Sequence, residues 1–202
     1  MDNYEYIIAG LPALQQAPTG ASHADADRIM ASIREQLSEK DNALVDLLLS
    51  GWDAENLDSA FYLKALNHRN RFIREYFAYD LNLRNLKVEY LNKSLGRPED
   101  MDIVRLEGMD GSDFEGRQEI MSVLEGADIL KRERGLDDLM WKKIEEITIM
   151  DVFDIEVILG FIARLKIIDR WDKLDPDTGN ELFRKLVEEI RATYDNKKNN
   201  LI

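Results

Sequence analysis

A chain of 202 residues with 45% hydrophobic and 33% charged side chains has enough apolar material to bury a core, so disorder is not its default state. Its net charge of -13, from 40 Asp and Glu against 27 Lys and Arg, repels phosphate backbones and anionic lipid unless a local basic patch intervenes. Cysteine is absent, which excludes disulfides, thiolate metal sites and cysteine nucleophiles, and no run approaches the roughly 18 apolar residues that span a bilayer.

The first residues, "MDNYEYIIAG", lack the basic start and cleavage site of a signal peptide, so the expected location is the cytoplasm. Tyr4, Tyr6 and Ile8 alternate ahead of Gly10 and Pro12, which suggests a short extended N-terminal segment, with a helical turn broken at Pro12 as the alternative. "QQAPTGASH" reads as a loop punctuated by Pro18 and Gly20. Ser22 with Asp25 then resembles a capping box ahead of a helix with Ile29, Met30, Ile33 and Leu37 on its apolar side. Ser38 with Asp41 repeats the device before Leu44, Leu47 and Leu48, and Gly51 closes that helix. Asp53 and Asp58 are both candidate caps for the next helical segment.

Phe61 to Gly96 carries the strongest pattern in the chain. Phe72, Tyr76, Tyr79, Leu83, Leu86 and Tyr90 recur at steps of three and four, and Leu66, Ile73, Phe77, Val88, Leu91 and Leu95 widen the stripe, so this face packs on more than one partner. An unbroken helix over 61–95 is about 52 Å long at roughly 1.5 Å per residue, against a radius of gyration of about 16 Å for a compact domain of this length. Either the molecule is elongated or the helix breaks, and Asp80, Asn82 and Asn85 mark the expected break, because short polar side chains compete for backbone hydrogen bonds.

Residues 97–116, rich in Gly and acidic groups, form the expected long loop and divide the chain into helical halves at 1–96 and 117–202. Beyond it, Ile120, Val123 and Leu124, then Leu136, Met140, Ile144 and Ile147, keep helical spacing. Thr148 and Asp151 are the expected caps of the next helix, which is apolar on nearly every side from Val152 to Ile168 and should be deeply buried. Leu182, Phe183, Leu186, Val187, Ile190 and Tyr194 predict a last amphipathic helix. A shift of 71 residues places Asp80 on Asp151 and Leu91 on Ile162, an echo that shared helical periodicity explains as readily as a repeat.

Charge is unevenly distributed: net -8 over 1–60, +4 over 61–96, -10 over 97–160 and +1 over 161–202. The favoured reading pairs the basic helix with acidic segments of its own chain, ahead of an acidic external partner. Neither glycine-rich phosphate pattern occurs, and His23 and His68 belong to no metal-binding motif, so no cofactor and no catalytic residue is expected. Asp151 with Asp154, and Asp110 with Asp113, are the pairs that would serve a divalent-metal enzyme, although first-turn acids also follow from the helix dipole. Tyr76, Tyr79 and Tyr90 beside Arg74, Arg84 and Lys87 suggest a surface for single-stranded nucleic acid, but the tyrosines lie on the apolar stripe and the cations mainly off it. A nucleic-acid partner is not expected.

"YEYIIAGLPALQ" at 4–15, "EKDNALVDLLLSGWDAENL" at 39–57 and "YDLNLRNLKVEYLNKSLG" at 79–96 resemble an uncharacterised bacterial family encoded alongside V-type ATP synthase subunits. The last block is also similar to the C subunit of those machines, the d subunit in eukaryotes, at Asp80, Asn85, Leu86, Lys87 and Gly96. The resemblance implies an all-α, elongated multi-helix bundle that acts as a non-catalytic connector between the central stalk and the membrane rotor ring. It implies a position peripheral to the inner membrane, held by partner subunits without direct insertion. Arg69, Arg71, Arg74, Arg84 and Lys87 are the candidate partner-binding residues. The competing classes are a free-standing helical adaptor and a carboxylate-based metal enzyme.

Overall fold

The computed structural model describes residues 4–15, 25–106 and 114–173, and these form an all-α multi-helix bundle. In chain order the helices are α1 (Tyr4–Ala9), α2 (Ala26–Gln36), α3 (Glu39–Ser50), a 3-10 turn (Ala54–Asn56), α4 (Ser59–Leu66), α5 (Arg71–Leu95), α6 (Arg117–Leu124), α7 (Ile129–Thr148) and α8 (Ile155–Asp172). No strand occurs among the described residues. The helix predicted over 182–194 lies outside them.

The N-terminal segment is a helix rather than an extended stretch. Tyr4, Ile7, Ile8 and Leu11 share one helical face and pack on the core, while Tyr6 points outward. Tyr4 fastens this helix by donating its hydroxyl to Asp41 Oδ2 at 2.9 Å. Asp41 sits in the predicted cap of α3, where its own N–H donates to Ser38 Oγ and Ser38 Oγ donates back to Oδ2. Asp25 caps α2 through the Arg28 N–H, Asp53 caps the 3-10 turn, and Asp58 caps α4 through the Phe61 N–H at 2.7 Å.

The long basic stretch does break, but at residues 67–70 rather than near Asp80. Asn67 ends α4, and Asn70 caps α5 by accepting the Ile73 N–H. The expected break fails because the short polar side chains have other partners. Asp80 binds Tyr62 and Arg84, and Asn85 makes a two-way pair with the backbone of Val104 at 2.8 and 3.0 Å. Asn82 alone bonds back, to Ala78 O, without interrupting the helix. The resulting α5 is 25 residues, about 37 Å at roughly 1.5 Å per residue. Gly96, in the left-handed region at φ 64°, ends it, and the Arg97 N–H closes the motif on Asn92 O.

Two helices organise the core. α5 packs against α4, α6, α7 and α8, while α8 packs against α1, α2, α3 and α7 as well. Phe72, Ile73, Phe77, Ile158, Leu159, Ile162 and Leu165 have no accessible side chain, as the apolar run in α8 predicts. The helical segments before and after the 97–116 loop therefore contribute to one continuous apolar cluster. The loop's first part runs back along α5, held by Asn85 and by buried Asn92, whose Nδ2 donates to Met101 O at 2.7 Å.

The predicted cap of α8 is also corrected. Thr148 closes α7, its Oγ1 donating to Ile144 O, and Asp151 pairs with Arg71; α8 begins after Asp154, which makes no side-chain cap bond. The 71-residue echo consequently places mid-helix Asp80 on a turn residue and is not a structural repeat.

Gly160 marks where α8 crosses the end of α7 and the start of α5. A Cβ there meets Thr148 Cγ2 at 2.8 Å and Ile144 Cγ2 at 3.3 Å. Gly160→Leu is expected to lower the urea unfolding free energy by about 1–3 kcal/mol through overpacking. An unchanged midpoint and slope would show that the crossing is looser than this.

Candidate functional site

The five cations named from the sequence all lie at the start of α5, along it, or in the turn before it, and the bundle engages four of them. Arg71 donates to Asp151 Oδ2 at 2.5 Å and to Ile147 O at 2.8 Å, tying α5 to the α7–α8 turn. Arg74 donates to the carbonyls of His68 and Arg69, which fastens the turn between α4 and α5. Arg84 grips both oxygens of Asp80, and Lys87 reaches Glu133 on α7 at 2.6 Å. Arg69 is exposed, and its side chain has no hydrogen bond or ion pair among the described residues. Of the seven cations over 61–96, Arg71 and Lys87 thus pair with acids of the 97–160 segment and Arg84 with an acid of its own helix, so the internal pairing favoured from the charge distribution holds for part of the basic stretch. Glu89 completes the pattern in reverse by accepting from Arg117 on α6 at 2.6 Å.

Asp80 is the most deeply set carboxyl of this group. Tyr62 on α4 donates to its Oδ2 at 2.7 Å, and Arg84 Nε donates to its two oxygens at 3.0 and 2.9 Å. Arg84 continues to Gly51 O at the end of α3. Three helices therefore meet on one carboxylate. Burial raises the Asp80 carboxyl above its ordinary value, against the pull of Arg84 and the Tyr62 hydroxyl. The Tyr62 phenol is driven up by burial and by Asp80, so it stays a donor. A second buried carboxylate, Asp137 on α7, accepts from Trp171 Nε1 at 2.6 Å and from Arg170, both on α8. Sequence reasoning missed this pair because its members are more than thirty residues apart and share no local spacing.

Beside α5, an open cleft of about 530 Å³ lies between α5, α6 and α7. Tyr79 and Phe114 form its apolar floor, their rings edge to face at 5.4 Å between centroids. Lys142 with Glu119 at 3.6 Å and Lys143 with Glu146 at 3.4 Å line its wall. The Tyr79 phenol is pushed up to about 12 by burial first and then by Glu119 and Glu146, which keeps it protonated.

His68 accepts the Asn70 N–H on Nδ1, and burial followed by the charges of Arg74 and Lys64 lowers its pKa. It is a neutral fastener of the α4–α5 turn. Asp151 is engaged by Arg71, which leaves Asp154 without it as a metal partner. No group of three His, Asp or Glu suited to a metal ion occurs among the described residues; His23, Asp110 and Asp113 lie outside them. No helix among the described residues is long and apolar enough to cross a membrane.

These features define a helical bundle whose polar groups serve mainly to bind helix to helix. Residues 55–193 match the family described as "Protein of unknown function (DUF2764)", and the chain belongs to that family. The match opens at the 3-10 turn and takes in α4 to α8, so it includes Asp80 and Asp137. No curated protein and no solved structure matches the chain.

Replacing Asp80 tests how much the three-helix junction contributes. Breaking a fully buried pair costs about 3–5 kcal/mol, and because Arg84 is partly solvated the expected loss for Asp80→Ala is about 2 kcal/mol. Tyr62→Phe removes one bond to a charged acceptor and should cost about 1.5–3 kcal/mol in urea unfolding. The pH dependence has a definite sign. Since the native carboxyl binds its proton more tightly than the unfolded chain, with its value of 3.8, the stabilisation is full below 3.8 and is lost as pH rises through the native value. Wild type should lose stability relative to Asp80→Asn as pH climbs from about 4, and a difference that stays constant up to about pH 7 contradicts the assignment.

Proposed function

We propose that this chain is a non-catalytic connector of a V-type ATP synthase, placed between the central stalk and the membrane rotor ring and peripheral to the membrane through those subunits. The observation that carries the reading is the behaviour of the residues that resemble the C subunit of such machines. Asp80, Asn85, Leu86, Lys87 and Gly96 fall on one unbroken helix and its cap. Each stiffens the bundle: Asp80 joins three helices, Asn85 holds the following loop, Leu86 is buried, Lys87 ties α5 to α7, and Gly96 ends the rod. A connector transmits torque or holds spacing by rigidity, and these side chains supply rigidity rather than chemistry.

Of the five candidate contact cations, Arg69 is the one whose side chain is uncommitted among the described residues, so it is the cation best placed to meet a partner carboxylate. Arg71, Arg84 and Lys87 act instead as struts. A free-standing helical adaptor would use the same rigid frame with a different partner, and the partner is what separates the two readings.

Affinity purification of the tagged chain from gently solubilised membranes of its native cell is expected to recover catalytic, stalk or ring subunits of the ATP synthase. Recovery of none of them would sink the connector reading.

A further inference from the structure

The end of the bundle where α8 stops leaves two helical stripes uncovered. α7 runs antiparallel to α5 and to α8: Ile147, Glu133 and Arg132 meet Arg71, Lys87 and Tyr90 in turn along α5, while Thr148 and then Asp137 meet Gly160 and Arg170 along α8. On α7, Leu130, Arg134 and Asp137 share one face at steps of four and three. Asp137 accepts from Arg170 and Trp171, and the Arg134 guanidinium lies 5.1 Å from the Trp171 ring centre, but α8 ends at Asp172. Leu130 continues that face past the last turn α8 supplies. The face toward α5 behaves alike. Lys87, Leu91 and Leu95 fall at steps of four, as do Ile129 and Glu133, so both stripes turn apolar beyond the Lys87–Glu133 pair, toward the same end. Leu91, Leu95, Ile129 and Leu130 are 42%, 61%, 69% and 63% exposed, a patch large enough to call for a cover.

The chain supplies a cover that starts at this end. It leaves α8 at Lys173, beside the uncovered face, and continues through 174–202, outside the described residues. Within that stretch Leu182, Phe183, Leu186, Val187, Ile190 and Tyr194 repeat on one helical face, and an amphipathic helix needs a surface on which to bury such a stripe. Pro176 and Gly179 in the intervening link encode a turn. Other apolar surfaces suit the segment less well. The groove of Met30, Leu49 and Trp52 beside α8 is half-buried against the core already, so a cover gains less there. Its α2 and α3 residues also fall outside the family match at 55–193, whereas α5, α7, α8 and residues 182–193 all fall inside it. The exposed turn at 149–153 lies a full α8 away, about 27 Å at roughly 1.5 Å per residue. The link from 173 to 182 reaches about 30 Å only when fully extended, which leaves no room for its turn.

We propose that residues 182–194 dock as an amphipathic helix across Leu91, Leu95, Ile129 and Leu130, closing the end of the bundle that α8 leaves open. The contact is independent of the connector reading. It ties α5 and α7 together through a third element and shuts that end of the bundle to outside partners.

Because the chain has no cysteine, one introduced thiol reports one position without ambiguity. In the full-length chain, Leu130→Cys should react with a maleimide at least tenfold more slowly than Leu130→Cys/Leu186→Asp/Ile190→Asp, with circular dichroism showing that both retain the helical bundle. Met30→Cys should react at the same rate with and without the two tail substitutions. Equal rates for Leu130→Cys in the two backgrounds overturn the docking. Protection of Met30→Cys in place of Leu130→Cys puts the segment in the α2 groove and overturns it as well. Amide exchange on the unmodified chain gives a second readout that needs no variant to fold: residues 183–194 should exchange at least tenfold more slowly than free-chain rates, and free-chain rates there overturn the proposal. Protection of Leu130→Cys that appears only in a dimer seen by sedimentation assigns the patch to a second copy. Protection that appears only with vesicles of anionic lipid assigns it to a membrane, and either result overturns the proposal.

Discussion

The bond set around Asp80 fixes what the rest of the bundle can be. A carboxylate in the middle of a long helix must find partners or lose its burial, and here Tyr62 from α4 and Arg84 from one turn further along α5 take its oxygens. With those partners in place the side chain has no reason to compete for its own backbone. The helix therefore runs straight past it, and α4, α5 and the end of α3 are locked together at one point. Everything that packs against α5 inherits that fixed axis.

The same constraint governs the way charge is used. The chain is strongly acidic, yet its most basic helix sits inside it as a set of struts. Arg71 reaches the α7–α8 turn, Lys87 reaches α7, and Glu89 draws in α6 through Arg117. Such pairs at partly solvated positions each contribute little to stability, on the order of 1 kcal/mol or less. Their value lies in orientation, because each one fixes a different helix against the same rod. The outward-facing apolar turn at 149–153 is a consequence: Arg71 draws Asp151 inward and leaves its neighbours to face solvent.

Most of the helices were legible in the sequence because their signals are local. The caps at Ser38, Asp53 and Asp58 and the stop at Gly51 need only a few neighbouring residues to act. The apolar run of α8 announced its burial for the same reason. Where the reading failed, the deciding partner was far away or the pattern was degenerate. Asp80 and Asn85 looked like helix breakers because Tyr62 and Val104 cannot be seen from their own spacing. Tyr4, Tyr6 and Ile8 looked like a strand because three residues cannot distinguish a period of two from the pair Ile7 and Ile8 on one helical face. Asp151 looked like a cap until Arg71, eighty residues earlier, claimed it. The five candidate cations were found by charge alone, and charge does not reveal which of them the fold has already engaged.

Amide hydrogen exchange along α5 tests this account most directly. If the Asp80 junction makes the helix one rigid rod, the amides of residues 76–88 should exchange only through global unfolding and match those of 158–168 in α8. Fast exchange confined to 80–86, with residues 71–76 and 158–168 still protected, would mean that the helix hinges at Asp80 and would contradict it.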